Sequence, residues 1–315
     1  MTFYTGEWPY CEPGTNPSYP SRIKKLQSKG QNFSCVFCVG AFFPNDNSDC
    51  PDWNKYKTGE ETIPLQTYIL GPSTVSESRF YAGLDNGGDL CELITCLGRC
   101  GLYKTLDGLR IGYLSGSSNK NDQNYAVQEN ANLKFKSLIN PNDSTGKTDF
   151  YDINSKNYIS VDIFISSSWP MGISNLGNSP DDPALLEAGN IDVARSSREL
   201  KPRCVKIAQN ANFMSKYITS NIFRYHFAGS ECKHYERRPY KNHTQLPKIT
   251  RFIALANVGN KNKEKYLYAF NINPDESISK VPDDVTQCPF PEEKNEKVKK
   301  EQGTFKSSVS ALIKV

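Results

Sequence analysis

Apolar residues along this chain gather in short runs closed by glycine or proline, with polar stretches of very unequal length between them. The runs Phe33–Val39, Gln66–Leu70, Leu109–Leu114, Val161–Ser166, Arg251–Val258 and Tyr266–Ile272 are rich in β-branched and aromatic side chains and predict β-strands. Ser21–Lys29 predicts a helix. So does Pro183–Leu200, which opens on proline directly after Asp181 and Asp182, a combination suited to a helix start. Strands alternating with helical or loop segments predict an α/β layer architecture. Between Ser117 and Asn157 the chain is polar and rich in Asn, Asp and Ser, which predicts a long surface insertion. From Pro289 onward Lys and Glu alternate with little to bury, so residues 291–315 are expected to form a charged, disordered tail. An irregular segment over 1–20 and one domain over 21–290 complete the expected organisation.

Composition narrows this picture. With 315 residues, 37% of them hydrophobic and 21 glycines, the chain can bury a substantial core. It contains no run of eighteen apolar residues, and Met1–Pro20 has no apolar stretch of the secretory type, so a soluble intracellular protein is expected. Ten scattered cysteines without such a leader predict free thiols. Cys35 and Cys38 have CxxC spacing, but they lie within a predicted strand, where residues three apart point to opposite faces. That geometry suits small core thiols better than one shared metal. Cys91, Cys96 and Cys100 lack a second pair at zinc-site spacing.

Candidate chemistry is sparse. Phosphate-loop, dinucleotide, GxSxG and HExxH patterns are all absent, and the three histidines His226, His234 and His243 match no local zinc motif. A two-metal hydrolytic site needs Asp, His and Asn ligands where strands end. Here the corresponding ends carry Ala41, then Pro72 and Ser73, then Ser166–Ser168. Neither a metal nor a cofactor is therefore expected, provided these ends face one another. The net charge of +4 is too small to announce a nucleic-acid binder by itself. Its distribution is more telling, because Lys233–Arg251 holds six Lys or Arg residues against a single acid, Glu236. Arginine, tyrosine and histidine interleave in Arg224-Tyr-His-Phe-Ala-Gly229 and in His234–His243, side chains that can contact phosphates and stack on bases. The binding candidates are Arg224, Tyr225, His226, Tyr235, Arg237, Arg238, Tyr240, Asn242 and His243.

The same stretches carry a family likeness. Phe37-Cys-Val-Gly-Ala-Phe-Phe43, Trp53–Gly59, Gln66–Gly71, Leu109–Gly116, Val161–Pro170, Arg224–Gly229, Tyr235–His243, Thr250–Gly259, Lys265–Phe270 and Asp284–Phe290 follow one another in an order specific to one group of proteins. The chain resembles the N-terminal, metallophosphoesterase-like domain of the CwfJ-type (CWF-nineteen-like) family, associated with spliceosomes and intron-lariat debranching. The resemblance implies a calcineurin-like α/β sandwich with a degenerate phosphoesterase site. It also implies a nuclear adaptor that binds a lariat debranching enzyme, a spliceosomal protein or RNA, with residual phosphodiesterase activity on RNA as the alternative. His226 would mark a former metal position.

Three departures from the family pattern stand out. The opening strand and its acidic turn have no visible counterpart before Ser21, so the first strand is expected to be missing. Leu200-Lys-Pro-Arg203, which the family joins directly to Tyr-His-Phe-Ala, is separated from Tyr225 by Cys204–Arg224, an expected insertion over 204–224. The family's C-terminal histidine-triad-like half has no counterpart before Val315.

Overall fold

A computed structural model describes residues 2–4, 19–44, 50–81, 83–84, 86–106, 108–116, 161–175, 224–241, 249–272 and 283–290. The expected helix Pro183–Leu200, the polar stretch 117–157, all of the 204–224 insertion except Arg224, and the 291–315 tail lie outside these residues.

Two sheets are built in chain order from β1 (Thr2–Tyr4), β2 (Val36–Cys38), β3 (Thr67–Ile69), β4 (Gly88–Cys91), β5 (Ile94–Cys96), β6 (Cys100–Lys104), β7 (Arg110–Leu114), β8 (Ile163–Ser166), β9 (Tyr225–Ala228), β10 (Tyr235–Glu236), β11 (Tyr240–Lys241), β12 (Ile249–Ala254) and β13 (Leu267–Ala269). The first sheet has the order β13-β1-β2-β3-β5-β4. Its centre, β1-β2-β3-β5, is parallel, and β13 and β4 are antiparallel edges. The second follows the same plan. In it β12-β9-β8-β7 are parallel, with antiparallel β10, β11 and β6 at the margins. Strands buried on both faces need no polar alternation, which is why β2 and β8 read as unbroken apolar runs and are buried at every position.

Three apolar layers follow from this arrangement. Phe37, Val39 and Leu70 of the first sheet meet Ile111, Ile163, Ile165, Phe227 and Ile253 of the second in a core between the sheets. The other face of the first sheet is covered by helices. α1 (Tyr19–Gln27) buries Ile23, and α2 (Pro51–Thr58) buries Trp53 and Tyr56, three residues apart on one face. Proline in the first turn starts α2, and Gly59 ends it in the left-handed region (φ 77°), its amide donating to the Tyr56 carbonyl. Phe43 is the centre of this layer, stacking on Phe80 at 4.4 Å and meeting Trp53 edge-on at 4.9 Å. The outer face of the second sheet packs Trp169, Tyr235, Tyr240 and Phe252 against Ile173, Cys288 and Phe290.

Each predicted strand run contains a strand, and the predicted helix at Ser21 forms two residues early. Two expectations are corrected. The first strand is present: Thr2–Tyr4 pairs in parallel with β2 and antiparallel with β13. At three residues it is too short for periodicity to reveal, and it lies well before the stretch in which the family pattern places it. The thiol expectation holds for Cys35, Cys38, Cys91, Cys96, Cys100, Cys232 and Cys288, whereas Cys50 is disulfide-bonded. Pairing among scattered cysteines cannot be read from spacing. Cys35 and Cys38 do lie on opposite faces, the first in the layer between the sheets and the second under the helices.

The junction after the expected insertion is well anchored. The Arg224 amide donates to the Asp162 carbonyl at 2.6 Å, its carbonyl accepts from the Arg251 amide at 3.0 Å, and its guanidinium lies 3.8 Å from the Asp162 carboxylate. Deleting 204–224 would put Arg203 in the same place before Tyr225, restoring an arginine opposite Asp162. A chain so shortened is expected to melt no lower than the full chain in a thermal unfolding experiment. A melting point lower by more than about 5 °C, the equivalent of roughly 3 kcal/mol in a chain of this size, would show that the segment supports the fold.

Candidate functional site

The C-terminal ends of the parallel strands converge, as the two-metal question required. Ser115, just after β7, joins the sheets: its Oγ accepts from the Gly71 amide beyond β3 (2.8 Å) and donates to the Gly98 carbonyl beyond β5 (2.7 Å). The approach is close enough that a Cβ at Gly71 would lie 3.1 Å from the Gly98 oxygen. On the next strand end, Ser167 Oγ accepts from the Gly116 amide at 3.3 Å, and Ser168 Oγ donates to the Gly116 carbonyl at 3.1 Å. Ser166 Oγ donates to the Ser168 carbonyl (2.7 Å) and sits 2.8 Å from His226 Nε2. The hydroxyls at these positions are thus engaged with backbone groups.

The loops after β2 and β3 are clipped together by a buried carboxylate. Glu77 lies in the short helix α3 (Val75–Ser78), whose N-cap Thr74 accepts from the Glu77 amide. Glu77 Oε1 accepts from the Phe42 amide (3.3 Å) and the Tyr81 hydroxyl (3.2 Å), and Oε2 from the Ser73 amide (2.8 Å). Burial pushes its carboxyl up to about 7 although every one of these bonds favours the ionised form. Glu77 was missed as a site residue. Its signal was the Thr-x-x-Glu spacing of Thr74 and Glu77, which marks a helix start and, here, also a loop clip.

His226 sits on β9 between the rings of Phe164 (4.7 Å) and Phe252 (5.1 Å) and is fully buried. Burial lowers its pKa to about 3, so it is neutral at physiological pH. Ser166 has a single hydroxyl proton, and it goes to the Ser168 carbonyl. Nε2 must therefore carry the ring proton and donate to Ser166 Oγ. A base that already holds its proton cannot activate that serine, so the pair is no nucleophile–base dyad in this arrangement. Among the described residues no group of three or more His, Cys, Asp or Glu side chains comes together in a way that could hold a metal ion.

The basic, aromatic segment divides into an inside and an outside. Tyr235, Arg237 and Tyr240 are buried with His226, contrary to the expectation that they offer rings and charges to a ligand. Tyr235 stacks on Trp169 at 5.5 Å, and Tyr240 packs edge-on to Phe290 at 6.0 Å. Arg237 spends all its donors internally. Nε reaches the Ile173 carbonyl, one terminal nitrogen the Arg238 carbonyl and Thr286 Oγ1, and the other the carbonyls of Asn175 and Gln287, at 2.7 to 3.4 Å. Its guanidinium carbon lies 4.9 Å from the Tyr240 ring centre. The residue is a staple that ties the Pro170–Asn175 turn and the Thr286–Gln287 segment to β10 and β11. Strand alternation explains the split over 235–238, where Tyr235 and Arg237 turn inward and Glu236 and Arg238 outward. Arg238 is exposed, Arg224 and Tyr225 are half-buried, and Asn242 and His243 lie outside the described residues.

Buried Glu77 and His226 give opposite pH signatures. Glu77 has a raised folded pKa, so its contribution is full below about 4.5 and is lost as pH rises through about 7, by on the order of 3 kcal/mol. His226 has a depressed one, so its contribution is present above about 6.5 and is lost as pH falls towards 3. Chemical denaturation across pH 4 to 8 should therefore show a weakened alkaline dependence in Glu77→Gln and a weakened acid dependence in His226→Gln. Glu77→Gln should also be less stable at pH 5, since one amide nitrogen would face a backbone donor. Variants with the wild-type pH dependence would contradict the burial of these two groups.

No family model matches the chain. Individual proteins do. The chain is 34% identical over 281 residues to CWF19-like protein 1 of Pongo abelii, covering 86% of this chain and 45% of that protein. CWF19-like protein 1 of Xenopus laevis is 34% identical over 283 residues, 86% of this chain and 46% of the relative. The CWF19-like protein 1 homolog of Caenorhabditis elegans is 30% identical over 294 residues, 90% of this chain and 47% of the relative. The chain therefore spans just under half the length of these relatives. Identity at this level over 86% to 90% of the chain, in vertebrates and a nematode alike, places it in the CwfJ/CWF19-like family.

Proposed function

We propose that this chain is a non-catalytic adaptor in pre-mRNA splicing or intron-lariat turnover, acting in the nucleus by binding a lariat debranching enzyme or a spliceosomal protein. The scaffold is read as a calcineurin-type metallophosphoesterase sandwich whose reaction centre has degenerated. The observation that carries this reading is the closure of the strand ends. Where a two-metal phosphodiesterase needs carboxylates, imidazoles and amides around two cations, Ser115, Ser166, Ser167 and Ser168 bond to backbone groups instead. Neutral hydroxyls supply little charge to offset the loss of a divalent ion's hydration. His226 is held by Ser166 between two phenyl rings, and the His234 ring, beside the end of β12, is bonded through Nδ1 to the Ala254 carbonyl. Membership of the family supports the RNA-processing setting. No helix among the described residues is long and apolar enough to cross a membrane.

The test has two arms. The purified full chain, immobilised in nuclear extract, is expected to retain a debranching enzyme or spliceosomal proteins. Incubated with manganese, zinc or magnesium, it is expected to leave an aryl phosphodiester and branched RNA uncleaved above background. Turnover that tracks stoichiometric metal and disappears in His226→Ala would replace the adaptor with a living phosphodiesterase, and an empty capture would remove the adaptor role.

A further inference from the structure

The other end of the second sheet is built differently. Arg251, near the start of β12, sits beside Tyr225, the first residue of β9, in parallel register. Ile253 and Leu255, two and four residues on, belong to the core between the sheets, so strand alternation turns Arg251 to that side too. It is half-buried, and among the described residues it makes no ion pair. Arg224, whose carbonyl accepts from the Arg251 amide, faces Asp162 at 3.8 Å; elsewhere in the basic segment Lys233 faces Glu264 at 3.5 Å and Arg237 is surrounded by carbonyls. From the first sheet, Tyr268 lies near enough to feel the charges of Glu236 and Arg251 and the Tyr225 phenol. Lys265 Nζ stands 4.9 Å from the Tyr268 ring centre, and Phe270 closes the group at 4.5 Å from Tyr225 and 5.8 Å from Tyr268. The Arg251 guanidinium and two half-buried phenols thus share one mouth of the space between the sheets, and the Lys265 ammonium lies over the ring of one of them.

A half-buried guanidinium without a counter-ion favours an anion, and aromatic rings beside it favour an anion that carries a flat group. An acidic peptide would use the cations and leave the rings idle. A base-paired duplex would hide its bases from them. We propose that this mouth binds a nucleotide of single-stranded RNA, with the phosphate on Arg251 and Lys265 and the base against Tyr225 and Tyr268. The choice of RNA over a free nucleotide rests on the proposed role in intron turnover; the ring-and-cation geometry does not. Glu236 is the acid at this mouth, and it opposes the phosphate.

The test is fluorescence anisotropy of a short labelled oligouridine with the purified full chain over a range of salt, with adenosine monophosphate and a polyglutamate peptide as competitors. Arg251→Gln is expected to weaken binding about tenfold and to lower the salt slope by about one. Tyr268→Leu should weaken binding with the salt slope unchanged, and Glu236→Gln should tighten it. Unchanged affinity in Arg251→Gln, indifference to Tyr268→Leu, or displacement by polyglutamate in preference to the nucleotide would each overturn the proposal. Should Arg251→Gln fail to fold, Glu236→Gln and Lys265→Gln, both at exposed positions, decide by moving affinity in opposite directions or not at all. Only purified components are used, so a failed partner capture would sink the adaptor role and leave this result standing.

Discussion

Parallel strands leave backbone donors and acceptors unpaired at their C-terminal ends, and buried groups of this kind must find partners. The sheets of this protein bring several such ends together, so the fold is possible only if something polar fills the junction. Ser115 supplies both a donor and an acceptor between the two loops of the first sheet, and Ser167 and Ser168 do the same for Gly116 across the second. A hydroxyl does this without a net charge to desolvate. The arrangement is therefore stable as it stands, and the same property makes it a poor host for divalent cations.

Glu77, His226 and Arg237 are nevertheless buried, each handled in its own way. Glu77 receives several donors, yet burial still raises its pKa to about 7, and in exchange it holds two loops together. His226 gives up its charge entirely and acts as a polar aromatic between Phe164 and Phe252. Arg237 keeps a strong donor set and exhausts it on carbonyls and one hydroxyl. Arg251, at the opposite end of the same sheet, has no such set of partners among the described residues. That contrast separates Arg237, a structural cation, from Arg251, which is left for a ligand.

Much of the frame was visible in the chain itself. Buried parallel strands such as Phe33–Val39 and Val161–Ser166 announce themselves by unbroken apolar runs closed by Gly or Pro, and the CxxC pair was correctly placed on two faces from strand periodicity alone. Short strands such as Thr2–Tyr4, Tyr235–Glu236 and Tyr240–Lys241 have too few residues to show a period. α2 was missed because Pro51–Thr58 is mostly polar and owes its position to Trp53 and Tyr56 alone. That Ala41, Pro72 and Ser166–Ser168 stand at strand ends could be read from the chain. That these ends meet, and that Glu77 and Ser115 join them, depends on contacts between residues far apart in the chain. The interleaved Arg–Tyr segment misled for a related reason: composition reports which side chains are present, while the pleat decides which of them face water.

The central claim is that hydroxyls, not cations, fill the junction of the strand ends. Metal analysis of the purified protein by inductively coupled plasma mass spectrometry, after exchange into buffer containing manganese, zinc and iron, addresses it most directly. The account predicts far less than one equivalent of any of these metals per chain. One or two equivalents that survive exchange, and that fall away in His226→Ala, would contradict it.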